Sequence, residues 1–319
     1  KTLKKIKLKK QKKMKKMKKT LIVGTVAYDE IETPKERSGK ILGGAATYIG
    51  LSASLFDIKP SIISVVGGDF KKEHLELLKS KGINTDSIEI ISKGKTFYWK
   101  GKYHKDWNKR DTLSTQLNVL ADFNPVVKSD QKNSEIVVLG NLHPAIQNSV
   151  VKQITLSEKC VILDTMNFWM DNSLDELYDV ITKTDIMIIN DEEAIQLSKK
   201  DSLFDAANEI LNLGPTFLVI KKGEHGALLF GDNQFFAIPA FPVNVVVDPT
   251  GAGDTFAGGF AGYLAQKEEL SFENLKQAVV HGTIMASFCV EGFGTMVMQG
   301  LDKKKVMKRL KDFREFTAF

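Results

Sequence analysis

Val245-Val-Val-Asp-Pro-Thr-Gly-Ala-Gly-Asp-Thr-Phe-Ala-Gly-Gly259 is the stretch from which the rest of the chain can be read. Its opening Val run suits a buried strand, because β-branched side chains pack well on a pleated surface. Pro249 has no backbone N–H and ends any ladder, while Gly251 and Gly253 permit a tight turn. From Asp254 onward Phe256, Ala257, Phe260, Ala261 and Leu264 recur at helical spacing. The segment is therefore expected to run strand, glycine turn, helix, with a carboxylate in the first helical turn. The N–H groups of Gly251, Ala252 and Gly253 are expected to face the space before the helix, where the helix dipole also favours an anion. A simple phosphate site gains nothing from an acid beside it, since like charges repel. Asp254 makes sense if it takes a proton from a hydroxyl while the turn steadies charge on a phosphoryl group in transfer. The plain alternative is that Asp254 caps the helix or favours its dipole.

Two other glycine motifs are excluded. A P-loop needs a Gly five positions before its Gly-Lys-Thr, and before Gly94-Lys95-Thr96 that position holds Glu89. The dinucleotide-binding pattern needs a Gly where Phe256 stands. The string Asp248 to Gly259, in contrast, closely resembles the C-terminal signature of the ribokinase-like (PfkB) carbohydrate kinase family. That resemblance runs from about Leu21 to the end of the chain, and it implies Asp254 as general base with Gly251, Ala252 and Gly253 as the anion hole.

With 319 residues the chain can bury a large core, as one α/β domain or two smaller ones. The net charge of +6 conceals an asymmetry: residues 1–19 hold twelve Lys and no acid, leaving 33 basic against 39 acidic residues in the remainder. The body is acidic, and neither nucleic acid nor membrane is expected as its partner. The tail reads as a disordered basic arm or, more simply, as sequence upstream of a start at Met14 or Met17. It lacks the apolar core of a signal peptide, and no stretch reaches 18 uninterrupted apolar residues, so a cytoplasmic protein is expected. Cys160 and Cys289 are expected to be buried thiols, and the scattered His residues show no zinc spacing.

Along the chain, Leu21–Val26 reads as a first buried strand ending at Asp29, and 30–41 as a hairpin off the main sheet. Gly43-Gly44 opens a helix through Phe56; Ser61–Val66 is a strand and Phe70–Lys81 a helix. Between about 87 and 122, polar and aromatic strands at Lys95–His104 and Thr112–Leu120 interrupt the alternation. Strands at Glu135–Leu139, Val161–Asp164, Asp185–Ile189 and Thr216–Lys221 then alternate with helices as right-handed βαβ units. A hairpin at Ala227–Ile238 leads to the strand at 245–248, and helices from 253, 271 and 302 close the chain. The expected fold is α/β: one doubly wound, mostly parallel sheet flanked by helices over residues 20–319. A small β-sheet lid is expected from segments near 28–41 and 87–122.

In such sheets ligands sit beyond the carboxyl ends of the strands. Asn190-Asp-Glu-Glu193 follows a strand and fits a helix capping box. The family carries an Asn-x-x-Glu motif there, which implies that Asn190 and Glu193 organise Mg²⁺, its waters and the nucleotide phosphates. Lys221-Lys-Gly-Glu-His-Gly226 is a glycine turn by composition and resembles the family's nucleotide-binding turn, with Lys221, Gly223 and Gly226 toward ATP. Asp29 with Gly43 and Gly44 resembles the acceptor half, although Tyr48 stands where the family commonly places Asn. Asp164-Thr-Met-Asn167 faces the same cleft but departs from the family's spacing and receives no role. Asp248 and Thr250 stand where relatives bind a monovalent cation, so K⁺ is implied by resemblance. His281–Thr295 resembles the adenine-pocket helix and loop, and reads equally as a packed helix with small faces.

The expected activity is ATP- and Mg²⁺-dependent phosphoryl transfer to a hydroxyl of a small sugar, with a nucleoside kinase as the alternative. A non-catalytic sugar or nucleotide sensor is a third reading, opposed by the intact Asp254 and glycine turn. In 95–104 the residues Phe97, Trp99, Gly101 and Tyr103 alternate with Thr96, Tyr98, Lys100 and Lys102. One face is expected to cover the acceptor and exclude water, the other to meet a second lid in a homodimer. If the odd-numbered face covers the site, its aromatics can stack a nucleobase, and nucleosides then outrank free sugars.

Overall fold

Apolar residues on both sides of the central strands build a sheet with two buried faces. The structure, a computed structural model, describes residues 17–107 and 109–318, so the expected tail lies outside it up to residue 16. Its strands are β1 Thr20–Val23, β2 Ala27–Glu32, β3 Arg37–Gly43, β4 Ser61–Gly67, β5 Asn84–Ile91, β6 Tyr98–Tyr103 and β7 Arg110–Gln116. They continue as β8 Ile136–Leu139, β9 Cys160–Leu163, β10 Ile186–Asn190, β11 Phe217–Lys221, β12 Ala227–Gly231 and β13 Gln234–Ile238.

The large sheet runs β13-β12-β11-β10-β9-β8-β1-β4-β5. Neighbours from β11 to β5 are parallel, and the β12–β13 hairpin adds an antiparallel edge. Strand order reverses between β1 and β8, the switch point that opens a crevice at the carboxyl ends. Ile22, Ile186 and Ile188 face a layer that includes the helices Ala45–Ser54, Ala252–Leu264 and Phe272–Cys289. Leu21, Val23, Met187 and Ile189 face the opposite layer, with the helices Pro144–Gln153, Leu174–Ile181 and Leu203–Asn212. This is the doubly wound, mostly parallel architecture expected from the alternation of elements.

A separate four-stranded sheet, β3-β2-β6-β7, is the small sheet expected as a lid, with β2 and β6 parallel and the other pairs antiparallel. Its outward charges pair off: Lys100 Nζ reaches Glu30 at 2.8 Å and Glu32 at 3.2 Å.

Four expectations are corrected. Val245–Val247 is not a sheet strand: Val245 is exposed, and the Val247 N–H donates to Val290 O at 2.8 Å, a loop carbonyl rather than a strand. The first strand ends at Val23 and Asp29 lies within lid strand β2, because the chain leaves the main sheet at Gly24. Residues 87–91, assigned to the lid, belong to β5, which pairs with β4 at the edge of the large sheet. Lys18 and Lys19, assigned to the tail, are tied to the body: the Lys18 N–H donates to Ala265 O at 2.9 Å and the Lys19 N–H to Glu135 Oε2 at 3.0 Å.

Candidate active site

The glycine turn and the helix behind it form as the sequence requires. Gly251 has φ 76°, and a β-carbon there would lie 2.4 Å from the Tyr48 ring, so both conformation and space demand glycine. Tyr48 therefore forms the floor beneath the turn. The helix Ala252–Leu264 begins at once and carries Asp254 in its first turn. Of the three N–H groups expected to face the anion, that of Ala252 is withdrawn, since it donates to Pro249 O at 3.1 Å within the turn. Those of Gly251 and Gly253 have no acceptor among the described residues. Asp254 Oδ1 is buried and likewise without a partner among them. Burial, reinforced by nearby Asp164 and opposed by Lys221, pushes the Asp254 carboxyl up to about 8.

Three adjacent strand ends supply the opposite wall. Asp164 follows β9, Asn190 closes β10 and Lys221 closes β11, with Asn190 and Lys221 directly paired across the ladder. The capping box is complete: the Glu193 N–H donates to Asn190 Oδ1 at 2.7 Å and the Asn190 N–H to Glu193 Oε2 at 2.8 Å. Glu193 is itself buried, which raises its carboxyl to about 7 even with Lys221 nearby. Lys221 Nζ lies 3.3 Å from Asp164 Oδ1 and within electrostatic reach of Glu193 and Asp254. Lys221 thus stands among three carboxylates at the mouth of the glycine turn. Beyond it, Gly223 (φ 51°) and Gly226 (φ 89°) shape a turn closed by Lys222 N–H to Gly226 O at 2.8 Å.

On the lid side Asp29 is buried, and burial raises its carboxyl to about 7 against the opposing N–H of Gly44. A β-carbon on Gly43 would fall 1.8 Å from Asp29 Oδ2, and one on Gly44 would fall 2.5 Å from Thr25 O. Gly43 lets the chain pass this carboxylate, while Gly44, at φ 92°, lets it pass the Thr25 backbone. Asp248 is fully buried; its Oδ1 accepts the Thr250 N–H and its Oδ2 the Gly294 N–H, each at 2.8 Å. It ties the glycine turn to the loop after the helix Phe272–Cys289. Thr250 Oγ1 donates to Tyr103 Oη at 3.1 Å, so the odd-numbered face of β6 is the one turned toward the site.

Three residues given no role from sequence belong to this cluster. Asp164 was visible at a strand end, but its spacing carried no motif. Arg110 opens β7, partners Tyr103 and has Glu193 and Asp254 in electrostatic reach; no local pattern marks it. Trp107, in the loop before it, lies 6.4 Å from the Tyr103 ring, while Trp99 lies under the Arg110 guanidinium at 5.8 Å. His281 is remote from the chemistry, stacked on Tyr263 at 4.5 Å.

The groups present are hard oxygens, the Lys221 ammonium and the Arg110 guanidinium, with two backbone N–H groups that have no acceptor among the described residues. Among the described residues no three acidic, His or Cys side chains cluster as a metal cage. Mg²⁺ is usually held by one or two carboxylates and substrate phosphates, a requirement that Glu193, Asn190 and Asp164 beside an anion turn fit.

A family model described as pfkB family carbohydrate kinase matches residues 17–300. A cytidine kinase of Thermococcus kodakarensis is 28% identical over 250 residues, covering 76% of this chain and 87% of that protein. The nucleoside kinase of Methanocaldococcus jannaschii, an archaeal member of the ribokinase family, superposes with a TM-score of 0.75 at 24% identity, covering 93% of this chain and 99% of that one. A putative ribokinase II from E. coli, solved with ATP and Mg²⁺, gives a TM-score of 0.77 at 18% identity, covering 93% and all of that chain (100%).

Proposed function

The chain belongs to the pfkB family of carbohydrate kinases, and from that premise we propose that it transfers the γ-phosphoryl group of ATP to a hydroxymethyl group of a nucleoside. The observation that carries this reading is Asp254 Oδ1, without a partner among the described residues, beside the N–H groups of Gly251 and Gly253, which have no acceptor among them. A base without a hydrogen-bond partner is open to an acceptor hydroxyl, and free donors next to it are open to the phosphoryl oxygens.

Asp254 takes the proton of the attacking hydroxyl. Its raised pKa makes it a stronger base than an exposed Asp, and also requires that it be ionised when the acceptor binds. Gly251 and Gly253 hold the charge that builds on the transferring group, and Lys221 adds a cation on the same side. Asn190 and Glu193 would hold Mg²⁺ and its waters, which when bound neutralises phosphate charge. Gly223 and Gly226 form the turn on which the nucleotide rests. Asp29, with Gly43 leaving it room and the Gly44 N–H bonded to it, orients the acceptor hydroxyls. Asp248 and Thr250 would offer oxygen atoms to a K⁺ ion, the Asp248 carboxylate already accepting the N–H groups of Thr250 and Gly294.

The acceptor is chosen on two grounds. Trp99, Tyr103 and Trp107 gather beside Arg110 on the lid, an aromatic wall a free pentose does not need and a nucleobase can stack on. The cytidine and nucleoside kinases named above favour the same choice. This reverses the order in which sequence alone ranked sugar and nucleoside. A panel of cytidine, adenosine, inosine, ribose and fructose with ATP tests it. We expect turnover on at least one nucleoside at far lower concentration than on either sugar; fast turnover on ribose with silent nucleosides overturns the choice of acceptor.

A further inference from the structure

Thr250 is held from three directions. Its N–H donates to Asp248 Oδ1 at 2.8 Å, and its carbonyl accepts from Cys289 Sγ at 3.4 Å. Its hydroxyl donates to Tyr103 Oη at 3.1 Å across 147 residues of chain. The first two partners belong to the body of the protein and the third to lid strand β6. Tyr103 is only 4% exposed, so water does not readily replace Thr250 as its partner. The next residue is Gly251, one of the two whose N–H groups remain free for an anion. Tyr103 also borders Trp107 and partners Arg110, so the same ring belongs to the aromatic wall of the lid. Among the described residues this is the one lid side chain hydrogen-bonded to the 248–253 turn.

We propose that Tyr103 is a positioning residue that couples the seating of the lid over the acceptor to the alignment of the anion turn. It acts through Thr250: when the lid sits on its acceptor, Tyr103 Oη fixes the Thr250 hydroxyl and with it the direction of the Gly251 N–H. The reacting atoms are touched by Gly251 and not by Tyr103. Phosphoryl transfer to the acceptor then depends on the bond, whereas ATP binding, which draws on Asn190 and Lys221 at the ends of β10 and β11, does not. This inference rests on the kinase reading above.

The test uses the full chain and the best acceptor from the panel, at fixed K⁺. Tyr103→Phe keeps the ring against Trp107 and removes only the hydroxyl; Thr250→Val removes the other partner, and Thr250→Ser retains it. Three quantities are read for each variant and for the Tyr103→Phe/Thr250→Val double: kcat for acceptor phosphorylation, the ATP Kd by calorimetry, and ATP hydrolysis without acceptor. A single neutral hydrogen bond corresponds to roughly a three- to tenfold change, so kcat should fall about that much in Tyr103→Phe and in Thr250→Val. ATP Kd should hold, hydrolysis should rise relative to transfer, Thr250→Ser should retain transfer, and the double variant should be no worse than the poorer single. Additive losses, or transfer and hydrolysis falling in equal proportion, would show that Tyr103 merely stabilises the fold and would overturn the proposal. A wild-type chain that phosphorylates no acceptor refutes the kinase reading instead; a working kinase indifferent to Tyr103→Phe refutes the coupling alone.

Discussion

Lys221 Nζ stands 3.3 Å from Asp164 Oδ1 and so close over Gly253 that a β-carbon there would meet it at 2.8 Å. Burial works against the ammonium, but Asp164, Glu193 and Asp254 together hold its pKa above the ordinary lysine value. Asp164 thereby keeps a cation held over the glycine turn. Lys221→Met preserves the stem and removes the charge, leaving three carboxylates facing one another. ATP affinity should fall roughly ten- to a hundredfold, the worth of a charge-assisted contact of about 1.5–3 kcal/mol, and calorimetric titration checks it.

Gly251→Ala combines a left-handed φ of 76° with a clash against the Tyr48 ring. Strain of this kind costs about 1–3 kcal/mol, so the melting temperature should drop by several degrees and kcat with it. Tyr48→Ala is itself costly because the ring is buried in the core, but the double variant should lose less stability than the sum of the two singles, as read by calorimetric melts, because the steric share of the cost is relieved.

The raised pKa of Asp254 has a consequence for stability with a definite sign. The folded value, about 8, lies above the unfolded one near 4, so between them the folded state holds a proton the unfolded chain has released. Its contribution to stability is therefore full below pH 4 and is lost as pH rises toward 8. Asp254→Asn removes that dependence, and its melting temperature should gain on the wild type as pH climbs from 4 to 8. Melts across that range check it; a gain largest at acid pH contradicts the burial of Asp254.

How much of this was legible in the sequence follows from the range of each interaction. The turn at Gly251, the helix from Ala252 and the Asn190–Glu193 capping box are contacts within a few residues, and spacing alone exposes them. The alternation of Trp99 and Tyr103 with Lys100 separates two faces of β6 but does not say which one turns inward; the Thr250–Tyr103 hydrogen bond does. Asp164–Lys221 and Thr250–Tyr103 join residues 57 and 147 apart, and only the strand order brings them together. Val245–Val247 misled because a β-branched run looks the same in an extended loop segment as in a ladder. The Ala252 N–H was miscounted because its acceptor, Pro249 O, is set by turn geometry rather than composition.

Among the described residues strand β7 is an unpaired edge of the small sheet, with Leu113 at its middle and Leu117 just after its end about half exposed. Such edges invite a partner, and a second lid is the occupant we expect. Sedimentation equilibrium should give a dimer, and Leu113→Glu should shift it toward monomer. Nucleoside binding should also quench or shift the fluorescence of Trp99 and Trp107; a monomer whose tryptophans ignore every nucleoside contradicts the lid as an acceptor cover.

The most direct measurement is the turnover of Asp254→Asn with ATP and the best nucleoside, taken together with the variant's ATP affinity. Asparagine keeps the shape and removes the proton acceptor. With Asp254 as general base, kcat should fall ~10²–10⁴-fold. ATP Kd should stay unchanged or tighten slightly, as a negative charge leaves the anion turn. Wild-type turnover by a variant that still binds ATP would contradict Asp254 as the base and reduce it to a helix-capping acid.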